Sequence, residues 1–451
     1  MKKRFLAILI TVLLFSIGLA ACGSNDATTE QPAADNGDGE AVQGEVDTRG
    51  VTISFWMQRY GQNPAVQDAW MDDVVARFYE QTGITVEVTV IDWGQALTRY
   101  TLASTGGEAP DVADTFFIQS MVQMGGGEFG PMQINDLAAE IGMYNYFDSI
   151  IHEVQVGEDF YGIPWRADVR AMAYNTDFFE EAGITTLPET WEEWVEIGQA
   201  LTITDANGNI ERAGLLWSNG TARFDQTWYT VLAQAGGTIL NEDYTEIRFD
   251  SPEGIASLQF MQDIVYVYGL SPDTVIDPSF EASMEFLAGN SAMLASTAAD
   301  FMLQLEANAP HMRDSVAAAV MPSRDGTGPS SVAFAAPIAI FRTTEHPEAA
   351  KEWVRFFTSE EIQLEASITL SLLNANINVM NDPHFRDDPW LSVFAQQFER
   401  SQMGDLPIAT WSQMTAWPDG PFAQMTTEIM AGQDVQEAVN RAISVVEELL
   451  E

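Results

Sequence analysis

The chain has 451 residues, too many for one core of ordinary size, so two domains or one domain of two lobes is expected. A content of 46% hydrophobic and 11% aromatic residues can bury substantial cores and excludes a wholly disordered chain. With 20 basic residues against 66 acidic ones the formal net charge is −46, which excludes a nucleic-acid binder and disfavours attraction to an anionic membrane; a solvated surface facing salty or alkaline surroundings is the plain account of that acidity.

Residues 1–21 open with Lys2, Lys3 and Arg4 and continue as an apolar run with small residues at its end, the layout of a secretory signal. The run is short for a membrane-spanning helix, and Asp26 and Glu30 follow it where a positive flank would be expected. Cys22 is the only cysteine, so neither a disulfide framework nor a CxxC metal site is possible. His152, His311, His346 and His384 are scattered and form no HExxH pair, so no metal and no cofactor is expected. Residues 22–48 are acidic, rich in Gly and Ala and free of aromatics, and read as a flexible tether.

The folded part begins near Gly50. VTISFW (51–56) is a short β-rich run, and residues 65–81 place Val66, Trp70, Val74 and Phe78 on one helical face. Gly83 closes that helix, ITVEVTVI (84–91) is a second strand, 93–103 a second helix, and Pro110–Ala113 begins a third strand. This βαβ order predicts a parallel, doubly wound sheet. In YGIPWRADVRAMAYN (161–175), Val169 to Tyr174 reads as a buried strand, with Trp165, Arg166, Asp168 and Arg170 crowded at its start. Thr190-Trp191-Glu192-Glu193 is a capping box opening a helix to about Leu201. Ser251-Pro252-Glu253 opens another that Gly269 ends. A short helix at 283–287, strands at 291–296 and 337–341, and helices at 346–358 and from Val435 onward complete the pattern, with no internal repeat.

The order of these pieces resembles the solute-binding proteins of bacterial ABC importers, in the sugar-binding, maltose-binding-protein-like family. The matching stretches are FYEQTGITVEV (78–88), LASTGGEAPDV (102–112), YGIPWRADVRAMAYNTDFFEEAGI (161–184) with LPETWEEW (187–194), FLAGNSAMLAS (286–296), HPEAAKEWVRFFTSEE (346–361) and VQEAVNRAISVVEELL (435–450). Leu19-Ala20-Ala21-Cys22-Gly23 is similar to the bacterial lipobox, in which the cysteine becomes the lipidated first residue. The resemblance implies an α/β fold of two lobes with doubly wound sheets and a ligand cleft and hinge between them. Lobe 1 would be 49–163 with a returning segment around 300–340, and lobe 2 would be 164–299 with C-terminal helices around 341–451. It also implies a monomeric, non-enzymatic protein. Held outside the membrane by lipid on Cys22, it would deliver a sugar, an oligosaccharide if several indoles stack rings, to permease subunits.

The same resemblance places Trp165, Asp168 and Arg170 at the hinge and the mouth of the cleft. A sugar offers hydroxyls, which carboxylates and guanidinium groups bind through charge-assisted hydrogen bonds, and an apolar face, which an indole covers. A plain ion pair of Asp168 with Arg170 or Arg166 is the alternative. Trp56, Arg59 and Tyr60 follow the first strand and Asp114 ends the third, where open α/β sheets bind ligands; Trp56 is equally suited to a core. Phe224 and Asp225 lie in a loop where the family carries an aromatic contact. Ser296 ends the Ala-Met strand, after which many relatives have a Trp and this chain has TAADF. Trp411 and Trp417, beside Pro and Gly in ATWSQMTAWPDG, are candidate stacking platforms. A secreted glycoside hydrolase, which also pairs carboxylates with Trp platforms, and a binder of another polar solute such as a polyol are the competing functions. No nucleophile elbow, phosphate loop or triad spacing favours the enzyme.

Overall fold

Thr52–Gln58 buries Ile53, Phe55 and Met57 completely and leaves Ser54 and Trp56 half-buried, the alternation of a strand with one face on the core. In the computed structural model, which describes residues 47–60, 63–217 and 224–451, this strand lies inside a seven-stranded mixed sheet. Its strands run in the order Leu373–Asn374, Ile163–Val169, Ser331–Ile340, Val112–Asp114, Thr52–Gln58, Thr85–Ile91, and Ser401–Met403 also pairs with Ser331–Ile340. Thr52–Gln58 is parallel to both Thr85–Ile91 and Val112–Asp114, as the βαβ pattern predicts. The expected signal sequence, Cys22 and the expected tether as far as residue 46 lie outside the described residues.

The first crossover helix, Pro64–Thr82, starts where the Asn63 side chain accepts from the Ala65 amide and stops at Gly83, whose φ of 74° favours glycine. Trp70, Val74 and Phe78 are buried as the periodicity requires. Val66 instead lies in the exposed first turn, and Gln67 takes the inward position. The Thr190 capping box and the Ser251 cap form as expected.

A second, four-stranded sheet has the order Leu216–Trp217, Met293–Thr297, Ala171–Asn175, Val316–Ala319. The single strand read at 169–174 is therefore two. Ile163–Val169 belongs to the first sheet, Ala171–Asn175 to the second, and Arg170 is the step between them. The strand expected at 337–341 is longer, Ser331–Ile340, because Pro337 sits at a register shift and does not end the pairing.

The segments around 300–340 and 341–451 divide between the two sheets. Within 300–340, Val316–Ala319 joins the second sheet and Ser331–Ile340 the first. Of the C-terminal helices, Pro347–Phe357 buries Trp353 against Phe55 and Phe78 of the first sheet's layer, at ring-centroid distances of 5.4 and 5.0 Å. The next helix, Glu360–Leu370, meets the first crossover helix through an Arg77–Glu365 ion pair of 2.7 Å. Pro421–Met430 packs instead with the second sheet's helices, where Phe422 touches Trp228 at 5.3 Å and Phe249 at 5.6 Å. An amphipathic helix announces that one face is buried, not which neighbour covers it.

Candidate functional site

A cavity of about 590 Å³ is walled by residues at the ends of both sheets and at the step between them. Its first wall follows the carboxyl ends of two parallel strands: Arg59 and Tyr60 leave Thr52–Gln58, and Trp93 opens the helix after Thr85–Ile91. Buried Gln67 fixes that turn, accepting from the Tyr60 amide at 2.7 Å and donating to the Gln58 carbonyl at 2.8 Å. Tyr60 is clamped edge-on between Trp165 and Trp93, at 5.4 and 5.7 Å. The Trp93 indole donates to the Arg59 carbonyl at 2.7 Å yet remains 49% exposed.

Behind this wall lies Asp114, wholly buried. It accepts from the Tyr60 hydroxyl (2.7 Å), the Trp165 Nε1–H (2.9 Å) and the Gln58 amide (3.1 Å). Burial pushes its carboxyl up to about 6, against the opposing pull of those three hydrogen bonds.

The second wall is the crossing segment. Arg166, Asp168 and Arg170 are two apart, line the cavity together and keep less than a fifth of their side-chain surface exposed. Asp168 Oδ2 accepts from Arg170 Nη1 at 2.5 Å and lies 3.6 Å from Arg166 Nη2. The Arg166 guanidinium also stands 4.9 Å from the Tyr60 ring centre and that of Arg170 5.6 Å from Phe334.

The third wall comes from the second sheet. Pairing of Met293–Thr297 shifts register after Leu294, and Ser296 adopts φ 60°, which turns Ser296, Thr297 and Asp300 into the cavity wall. Gln226 and Thr227, from the helix Phe224–Gln234, stand beside them. Ser371, also at positive φ (55°), lines the cavity with Leu372 and Leu373.

This fold and site can be set beside known proteins. A family model described as bacterial extracellular solute-binding protein matches residues 62–364. The chain belongs to that family. A probable ABC transporter-binding protein of Deinococcus radiodurans is 23% identical over 335 residues, 71% of this chain and 75% of the relative. An arabinooligosaccharide-binding protein of Halalkalibacterium halodurans is 23% identical over 296 residues, 63% of this chain and 62% of the relative. A solute-binding protein of Thermotoga lettingae, solved with α-D-tagatose, superposes with a TM-score of 0.72 at 22% identity, covering 89% of this chain and 100% of its own. The solute-binding protein thus has the two-lobe α/β fold of periplasmic binding proteins, and its family works outside the cytoplasm.

Set against that fold, the residues singled out in the sequence divide. Arg59, Tyr60, Asp168, Arg170 and Ser296 reach the cavity. Asp168 is ion-paired with Arg170 and lines the cavity at the same time. Trp165 and Asp114 do not line it; 1% and 0% exposed, they hold Tyr60 from behind. Trp56 is half-buried beside Tyr100, outside the lining. Phe224 and Asp225 are buried in the first turn of their helix, and the next two residues face the cavity instead, since each helical step turns the side chain by about 100°. The expectation for Trp411 is corrected outright: the solute-binding protein buries it fully, with Nε1 on Asp405 (2.8 Å) and its ring beside Tyr229 and Phe422. Trp417 is 38% exposed and is not part of the lining.

Trp93 and Asp300 are among the lining residues that the sequence patterns do not single out. Trp93 is the aromatic that stays accessible in the wall; its place directly after a parallel strand was the available signal. Asp300 sits in the TAADF run, noticed only for its lack of a Trp.

Proposed function

We propose that the cavity captures a sugar, with an oligosaccharide favoured over a single ring, for delivery to the permease of an ABC importer. The observation that carries this reading is one cavity that pairs an accessible indole, Trp93, with the charged crossing segment Arg166, Asp168 and Arg170, since apolar ring faces and hydroxyls need both. Arg59, Tyr60, Asp168, Arg170 and Ser296 are the contacts in this reading, and Asp114 and Trp165 position them. The arabinooligosaccharide-binding relative and the tagatose-bound structure support the sugar class.

Calorimetric titration with arabinotriose, maltotriose, tagatose and erythritol tests it. Binding of a trisaccharide with the sugar recovered intact is expected. Product release would support the glycoside hydrolase, and binding of erythritol alone would support a polyol site. Trp93→Ala should weaken the bound sugar by about tenfold, given roughly 1 kcal/mol for the stacked face plus its buried area. The melting temperature of the ligand-free variant should stay close to wild type, because half of that indole is already in water.

In the same reading the chain is held at the outer membrane face by lipid on Cys22. Cys22→Ser is expected to release the protein into the medium or leave it unprocessed, because the chain has no other thiol. Retention of a correctly processed serine variant in the detergent phase would contradict the anchor.

A further inference from the structure

We infer that Asp300 is a specificity-determining acceptor in this cavity, taking the hydroxyls of an uncharged sugar and turning away an acidic one; this rests on the sugar-binding reading above. Its position offers it two structural roles, and it fills neither. It immediately precedes the helix Phe301–Asn308, where an aspartate ordinarily accepts from the first-turn amides, but its side chain makes no capping bond. It also faces two guanidinium groups, but Arg170 is bonded to Asp168 at 2.5 Å and Arg166 lies 3.6 Å from the same oxygen. Arg59, the third guanidinium in the wall, is held by Asp68 at 2.6 Å. Among the described residues the Asp300 carboxylate has no ion-pair partner and no hydrogen bond to another residue, only the help of its own backbone amide.

An acceptor left in that state is costly to desolvate unless something enters to bond it. The backbone leading to it is also unusual, since Ser296 holds a left-handed φ of 60° that a side chain disfavours. Burial, reinforced by repulsion from Asp168, raises the Asp300 carboxyl, and Arg166 and Arg170 pull it back only in part. Glu281 is a further carboxylate in the wall. A ligand carboxylate entering here would meet Asp300, Asp168 and Glu281 while the three arginines already have partners. Sugar hydroxyls would instead donate to Asp300.

The test uses the full chain and two readouts. Ligand-free Asp300→Asn should melt higher than wild type at pH 7, by a margin that shrinks toward pH 4 as the native carboxyl takes up its proton. In calorimetry, the neutral trisaccharide that binds wild type, arabinotriose or maltotriose, should lose about tenfold to a hundredfold in affinity in Asp300→Ala, the range for a hydrogen bond to a charged acceptor. Trigalacturonic acid should bind wild type more weakly than the neutral trisaccharide. A lower melting temperature for Asp300→Asn at pH 7 would make the residue a structural partner and overturn the inference. So would unchanged trisaccharide affinity in Asp300→Ala, or a preference of wild type for trigalacturonic acid. If no sugar binds wild type, the sugar reading fails, and the melting comparison by itself decides whether Asp300 is a vacant acceptor.

Discussion

Asp114→Asn is expected to gain roughly 2 kcal/mol of stability relative to wild type as pH rises from 4 to 7, most of the effect of moving a carboxyl from its ordinary 3.8 to about 6. The sign follows from where the proton is held more tightly. The folded protein binds it more strongly than the unfolded chain, so the Asp114 contribution is fully present below the unfolded value and is lost as pH rises through about 6. The amide does not titrate, so its profile lacks that loss. Buried Glu153 is also raised, by burial and by Asp405, but it is common to both proteins and cancels in the difference. Denaturant unfolding of both proteins at pH 4, 5, 6 and 7 measures this, and a constant offset between them would refute it. The variant should also loosen Tyr60. Asp114 accepts from three donors, and an amide must turn its NH₂ toward at least one of them.

Trp165→Ala should cost roughly 3–5 kcal/mol of stability, the range for deleting a large core aromatic. The indole is 1% exposed, packs edge-on against Tyr60 at 5.4 Å and Phe357 at 5.3 Å, and supplies one of the three bonds to Asp114. Its loss therefore opens a cavity and strips a partner from a buried carboxylate at once. Trp165→Phe should recover much of the packing but not the hydrogen bond, so its stability should fall between the two. Thermal unfolding of the three proteins ranks them; an alanine variant melting within a degree or two of wild type would show that Trp165 does not hold this wall. Both variants probe residues that resemble ligand contacts in the sequence and act in the fold as supports.

The sequence by itself determined the features that depend on composition or on near neighbours in the chain. The acidic surface follows from counting charges, and the first three parallel strands from the βαβ order. The helix starts at Thr190 and Ser251 follow from a side chain three residues from the amide it caps. The crowding of Arg166, Asp168 and Arg170 was legible too, because they are near neighbours in the chain. Only the tertiary structure decided which polar and aromatic groups stay available to a ligand. Trp93, Trp165 and Trp411 are the same residue type, yet one lines the cavity accessibly, one backs the wall and one is core. The difference lies in Asp114 and Asp405, which take the indole N–H groups of Trp165 and Trp411, and in rings brought from distant parts of the chain. Asp300 makes the same point in reverse, since its importance comes from partners that bond elsewhere. Burial and pairing are properties of contacts between residues far apart in sequence, and no local pattern encodes them.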